Sequence, residues 1–545
     1  MNPGPHLAPD GRFLTSPMSR RVLNFGDMLT QTARRWPDRP ALVWRDRVWS
    51  WRDFGARVDA LALALTAAGV AKGDRILLIS RNNNAMFETL YAAFKLGAVI
   101  VPANFRLAAD EFAYLGAASR ARALVYDSVF PEHADAARRD TPTISVTVAI
   151  GTARPGEREF EGFVAPHLGK AFRAAPVEYD DALWFFFTSG TTGRPKAAVL
   201  THGQMGFVVA NMLADLTPGV AETDASLVVA PLSHGAGIHQ LTQVARGAAT
   251  VLLPSEKFDG AEAWRLIEQW RVANIFTVPT ILNMLVDHPA VDAHDHSSLK
   301  HVIYAGAPMY RDDQKRIVGK LGKCIVQYFG LGEVTGCITV LPPRLHDVDD
   351  SVQGHIGSCG YPRTAMDVRI CDDDGKECAT GATGEICVAG PGVFAGYFDN
   401  PEANAKAFRD GWFRTGDLGH VDAQGFVHIT GRASDMYISG GSNVYPRETE
   451  EKLIEHPAVA EAAIVGMPDR KWGETGVAVV ALKPGASASE AEILGFLESR
   501  VARYKLPSKL VIWDELPKSA YGKIPKRLIK ERLMQEGQAG GKQTG

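Results

Sequence analysis

The chain has 545 residues, of which 46% are apolar, and a formal net charge of −3 at pH 7. At about 150 residues per domain, this length allows three or four compact units at most. The balanced charge argues against a nucleic-acid or anionic-membrane partner, and no apolar run approaches the ~20 residues of a membrane-spanning helix.

Met1 to Ser19 is rich in Pro and Gly and lacks the apolar segment of a signal peptide. Arg75 to Ser80 has the length and composition of a strand. Asn84 is placed to cap the next segment, where Phe87, Leu90, Tyr91 and Phe94 mark one face of a helix. Strand-like runs follow at Leu183 to Phe187, Leu227 to Ala230, Val302 to Tyr304 and Glu385 to Val388, with helix-like stretches between several of them, such as Ala261 to Ala273. This alternation predicts an α/β protein with parallel or mixed sheets covered by helices.

All six cysteines lie between Cys324 and Cys387, without a Cys-x-x-Cys pair or zinc-spaced histidines; they read as reduced thiols of a cytoplasmic protein. Near Thr415 the composition changes, and 417–442 is dense in Gly and Asp. New apolar runs then start at Ala462 to Val465 and Val477 to Val480. The expected architecture is a large N-terminal body of mixed sheets flanked by helices, over 21–431, and a small mobile α+β C-terminal domain over 432–535. Flexible tails cover 1–20 and 536–545. The last residues are polar and Gly-rich, with no retention or lipidation signal.

The sharpest local pattern follows the run ending at Phe187: Thr188, Ser189, Gly190, Thr191, Thr192, Gly193, Arg194, Pro195, Lys196. Glycines let backbone N–H groups turn toward an anion, hydroxyls donate to phosphate oxygens, and Lys196 supplies a compact positive charge. The combination predicts a polyphosphate-binding loop. Its spacing is not that of the Walker motif, because Lys196 precedes Ala197 and the glycines are three apart.

With this loop, the sequence resembles the acyl-adenylate-forming superfamily of acyl-CoA synthetases, peptide-synthetase adenylation domains and firefly luciferase. The resemblance runs from about Phe25 to Arg527, with several motifs in the family's order. It implies the following roles. Ala305, Gly306, Ala307 and Pro308 form a small-residue turn along the adenine, with Ala305 also facing the acyl group. Tyr328, Phe329 and Gly330 continue the ATP site, Phe329 packing on adenine, and Glu333 holds Mg²⁺ between phosphates. Gly332 stands where the family usually has a hydroxyl. Asp417 accepts the ribose hydroxyls and Arg432 contacts ribose or phosphate. Ser434 occupies the hinge position, where relatives carry Asp or Lys. Ser439, Gly440 and Gly441 line the coenzyme A tunnel. Lys523 reaches the α-phosphate, while Lys518 and Lys526 read as a solvated basic face.

The resemblance places the acyl group near His234, Gly235, Ala305, Gly330 and Leu331, with His234 as a gate. Gly330 replaces a bulky Trp of acetate-using relatives, which predicts room for a larger acid. The implied reaction joins an apolar monocarboxylate, aryl or medium-chain, to coenzyme A through an acyl-adenylate, with Lys523, Glu333 and Lys196 as the catalytic groups. ATP, Mg²⁺, the carboxylic acid and coenzyme A are the expected partners, and a homodimer stays open. A carrier-protein thiol remains the alternative acceptor. An amino-acid substrate is disfavoured, because no Asp stands near Gly235 to hold an ammonium.

Overall fold

Residues 22–188, 194–255, 257–307, 309, 311–350, 356–439, 442–498, 500–518 and 524–540 are described by a computed structural model of the chain. The helix signalled by Phe87, Leu90, Tyr91 and Phe94 spans Asn84–Leu96, and all of its residues are buried. Its cap is Asn83 rather than Asn84. Asn83 has the extended backbone that a cap requires, and its Oδ1 accepts from the Met86 N–H at 2.8 Å. Asn84 lies inside the first turn and donates to Glu88 at 2.9 Å. Gly97 ends the helix at φ 65°, where a side chain would be strained. Rings surround the helix: Phe87 stacks on Phe54 at 5.2 Å, and Phe94 lies 6.5 Å from Trp184. Each such buried ring contributes about 1.5–3 kcal/mol of transfer free energy.

Two compact units divide the chain, one of residues 1–367 and 389–411, the other of 368–388 and 412–545. The first contains two seven-stranded sheets of the same design. One runs, in spatial order, Ile325–Gln327, His301–Tyr304, Val272–Thr277, Ala225–Val228, Ala249–Leu252, Pro40–Trp44 and Arg47–Ser50. The other runs Arg158–Glu159, Val146–Ile150, Ala123–Asp127, Arg75–Ile79, Val99–Ala103, Ala182–Thr188 and Lys196–Thr201. Each is parallel throughout except for one antiparallel hairpin at an edge. Helices cover parallel sheets on both faces, so their strands are apolar at successive positions. Ile76, Leu77, Leu78 and Ile79 are accordingly all fully buried.

In the second unit, Gly384–Ala389, Trp412–Val421 and Val427–Arg432 form an antiparallel ribbon. A further sheet pairs Val459–Asp469 with Gly473–Leu482 over their full lengths. The apolar runs predicted there have both faces covered. Ile464 and Val480 join a core with Leu453, Ile493 and Leu497. Val465 and Val479 join another with Trp513 and Ile529. The fold class is therefore α/β: a large N-terminal body of sheets and helices with a smaller C-terminal α+β unit.

None of the six cysteines is in a disulfide. Burial pushes the Cys387 thiol up to about 12, which keeps it protonated and unreactive. Among the described residues, no helix is long and apolar enough to cross a membrane.

Candidate active site

The predicted phosphate motif begins and ends on the two strands of the edge hairpin in the second of the two large sheets, Ala182–Thr188 and Lys196–Thr201. Thr188, the last residue of one strand, lies directly opposite Lys196, the first residue of the next. The antiparallel register thus holds the hydroxyl and the ammonium of the motif side by side. Ser189, Gly190, Thr191, Thr192 and Gly193 lie outside the described residues, as do Pro308, Gly440, Gly441 and Lys523.

Beneath the hairpin sits Glu333, in a single 3₁₀ turn, Gly332–Val334, and 6% exposed. Thr188 Oγ1 donates to its Oε1 at 2.8 Å, and the Tyr397 hydroxyl donates to the same oxygen at 3.0 Å. The Phe394 N–H donates to the Glu333 carbonyl at 2.8 Å, which fixes the backbone as well. Hydrogen bonds to a charged acceptor are worth about 1.5–3 kcal/mol each and help a carboxylate stay in so dry a place. Lys196 Nζ lies 4.4 Å from the centroid of the Tyr397 ring. Burial, and next the Glu333 carboxylate, raise the Tyr397 phenol well above its ordinary range, so it remains a donor. Glu333, distant in sequence from Thr188 and Lys196, therefore forms one cluster with them, and Tyr397 touches both Glu333 and Lys196.

Tyr397 was missed by motif reasoning. Its one signal is an aromatic residue after Gly396, unremarkable in sequence. Magnesium fits the donor set present. It takes one or two carboxylates and draws its other oxygens from phosphate and water. Glu333 is such a carboxylate, and no group of three His, Cys, Asp or Glu among the described residues forms a dedicated metal cage.

The small-residue turn follows the strand His301–Tyr304. Ala305 is buried, while Gly306 and Ala307 are exposed. Gly306 has φ +83°, so glycine is required there by conformation. Behind the turn, the Tyr304 hydroxyl donates to Gln327 Oε1 at 3.1 Å. Phe329 is half-buried, its N–H donating to Thr339 Oγ1 at 3.3 Å. Tyr328 differs: its ring is buried and stacks with Phe276 at 6.2 Å and with His239 at 5.6 Å. The structure groups Tyr328 with the aromatic residues beside Gly235 rather than with Phe329.

His234 precedes the helix Gly235–Arg246 as its N-terminal flanking residue, and its ring meets Phe186 edge-on at 4.5 Å. A Cβ on Gly235 would stand 2.9 Å from the Phe276 ring. Leu331 anchors the Glu333 turn, its carbonyl accepting from Val334 and Gly336 at 3.1 Å. A Cβ on Gly330 would collide with the Gly336 backbone, so its bareness allows two segments to touch.

In the second unit, Asp417 and Arg432 are register partners, and Arg432 Nε donates to Asp417 Oδ1 at 3.0 Å. Ser434 Oγ donates to Asp435 at 3.3 Å. Ser439 ends a strand and pairs with Ser442 and Gly473. Lys526 does not belong to a solvated basic face: its ammonium lies 2.7 Å from Glu450, and that of Lys518 lies 2.6 Å from Glu461. Both charges are taken up locally, because acidic side chains line the neighbouring helix and strand.

Known proteins match most of this chain. The AMP-binding enzyme family matches residues 29–398, and the AMP-binding enzyme C-terminal domain matches 448–523. A feruloyl-CoA synthase of Amycolatopsis sp is 37% identical over 94% of this chain and 100% of its own length. An indoleacetate–CoA ligase of Aromatoleum aromaticum is 35% identical over 91% of this chain and 95% of its own. Among solved structures, an anthranilate CoA ligase in complex with anthranoyl-AMP superimposes with a TM-score of 0.85, at 26% identity, over 94% of this chain and 97% of that one.

Proposed function

The chain belongs to the AMP-binding enzyme family and is an AMP-forming acid–thiol ligase, and from that premise we propose that it activates an apolar monocarboxylic acid, aryl or medium-chain, as the acyl-adenylate and passes the acyl group to coenzyme A. The observation that carries this reading is the buried Glu333 carboxylate, held by Thr188 and Tyr397 under a hairpin that ends in Lys196. Two of the relatives are named for aryl acids and for coenzyme A, which supports both the acid class and the thiol.

Both reactants of the first step are anions. A carboxylate must approach an α-phosphate that already carries negative charge, so the protein has to supply positive charge and orientation rather than a base. Lys196 and Lys523 are the proposed cations. Ser189, Gly190, Thr191, Thr192 and Gly193 are the proposed phosphate donors, with Thr188 tying the hairpin to Glu333. Glu333 would hold magnesium, which when bound neutralises phosphate charge. Gly306, Ala307 and Phe329 are proposed to receive the adenine, and Asp417 with Arg432 the ribose. A thiol then displaces AMP from the acyl carbonyl, with Ser439, Gly440 and Gly441 proposed for the pantetheine arm. The segment 432–535 is proposed as the lid domain, 21–431 as the adenylate-forming domain, and Ser434 as the hinge.

We assign the protein to the cytoplasm because none of its six cysteines is in a disulfide. Acid-dependent exchange of labelled pyrophosphate into ATP tests adenylation directly. Exchange is expected with at least one aryl or medium-chain acid and to vanish without added acid. Exchange with no acid of either class refutes the proposal.

A further inference from the structure

Gly332, a departure from the motif pattern that the resemblance implies, lies against an aromatic ring. We infer that Gly332, Phe186 and His234 act as one unit, placing an aromatic wall beside the reacting carboxylate so that the enzyme selects an aryl acid over a straight-chain one. The inference rests on the adenylation reading above and narrows its acid.

The argument begins with space. A Cβ on Gly332 would stand 2.6 and 2.7 Å from two carbons of the Phe186 ring and 2.9 Å from Thr188 Cγ2. Non-bonded carbons settle at about 3.5–4.0 Å, so any side chain at 332 must push the ring away. Gly332 does not adopt a positive φ, and neither does Gly235. Conformation therefore does not demand glycine at either position, whereas a neighbouring ring does. At 332 that ring is Phe186; at 235 it is Phe276, whose Cζ would lie 2.9 Å from an added Cβ.

These two glycines make room for two aromatic layers. Phe186 is almost wholly buried and meets the His234 imidazole edge-on, at 4.5 Å and 69°. Phe276 stacks on His239 at 4.2 Å and 13°, and on Tyr328 at 6.2 Å and 19°. Burial lowers His239 to about 3, so this layer presents a neutral imidazole. The first layer begins at Thr188 and Glu333, where the carboxylate is to be activated, and continues to His234 at the start of the acyl-pocket helix. Flat, rigid walls give a planar ring edge and stacking contacts that an alkyl chain does not match. The bareness of position 332 is the condition for Phe186 to stand there.

The test compares kcat/KM for cinnamate and octanoate by acid-dependent pyrophosphate exchange, in the wild type, Phe186→Ala, Gly332→Ala and the double variant. The wild type is expected to prefer cinnamate by about tenfold or more, the scale set by one well-fitted apolar contact. Phe186→Ala should bring the ratio close to one, and Gly332→Ala should lower it by displacing the ring. The double variant should keep the ratio of Phe186→Ala, because no ring is left for the added methyl to displace. A purely structural role would lower both acids alike and leave the ratio unchanged, and that result overturns the inference. So do changes in the ratio that multiply in the double variant. Absence of exchange with every acid overturns the adenylation reading too, which separates the two failures.

Discussion

At the scale of single residues, the Glu333 carboxylate is the group on which most of the chemistry converges. Replacing Glu333 with Gln keeps the shape and a partner for Thr188 but removes the charge. Exchange of pyrophosphate is expected to fall by about two to three orders of magnitude, as when one preorganised electrostatic group is lost from a catalytic site. Tyr397→Phe removes only one donor to the charged carboxylate, so it should cost about 1.5–3 kcal/mol, roughly ten- to a hundredfold. Equal rates for Glu333→Gln and the wild type would remove Glu333 from the reaction. Thr188, Lys196 and Glu333 were legible in the sequence because each sits in a dense local motif with a chemical rationale. Tyr397 was not, since its tie to Glu333 spans 64 positions and depends on how the chain packs. At Gly330, likewise, sequence reveals that a side chain is missing, but only the fold reveals how closely the Gly336 backbone approaches.

At the scale of elements, the decisive pieces are the edge hairpin that aligns Thr188 with Lys196 and the helix Gly235–Arg246 that begins beside His234. The first turn of that helix is tightly seated. A Cβ on Gly237 would collide with the Leu232 carbonyl oxygen and stand 3.0 Å from Trp184. Gly237→Ala is therefore expected to shift the turn carrying His234 and to destabilise the protein by about 1–3 kcal/mol, read as a lower urea midpoint. An unchanged midpoint with unchanged activity would show that the turn has slack. Strands and helices were broadly legible because apolar runs and the 3.6-residue period report burial locally. Pairing was less so: nothing local says that Ala182–Thr188 joins Val99–Ala103 in parallel, because that depends on the helix connections. The cap at Asn83 was misplaced by one position, since two consecutive Asn residues offer the same side chain and only backbone geometry separates them.

At the scale of the whole molecule, the first unit buries four histidines whose ordinary pKa lies near neutrality. Burial lowers His239 to about 3, and His202, His301 and His346 to about 4. Between about pH 4 and 6.5 the unfolded chain binds these protons and the folded one does not. Stability must then rise with pH across that window and be lost as pH falls through it, by up to about 1.4 kcal/mol per pH unit for each histidine. Thermal melts from pH 7 down to 4.5 should show the midpoint falling steadily below about 6.5. A flat profile would contradict the burial of these imidazoles. The class of the fold was readable from alternating strands and helices. That the second unit draws in 368–388 from within the first unit's run of sequence was not, because it depends on the pairing of Gly384–Ala389 with Trp412–Val421.

The central claim, ATP-driven joining of an acid to a thiol, is tested most directly by mass spectrometry of the product. Purified protein receives ATP, magnesium and coenzyme A with pooled aryl, cinnamic, short-chain, medium-chain and dicarboxylic acids. The account predicts one or more acyl-CoA thioesters from aryl or medium-chain monocarboxylates, dependent on ATP. Acyl-AMP without thioester would contradict coenzyme A as the acceptor and point to a carrier-protein thiol, and no ATP-dependent product from any acid would contradict the account as a whole.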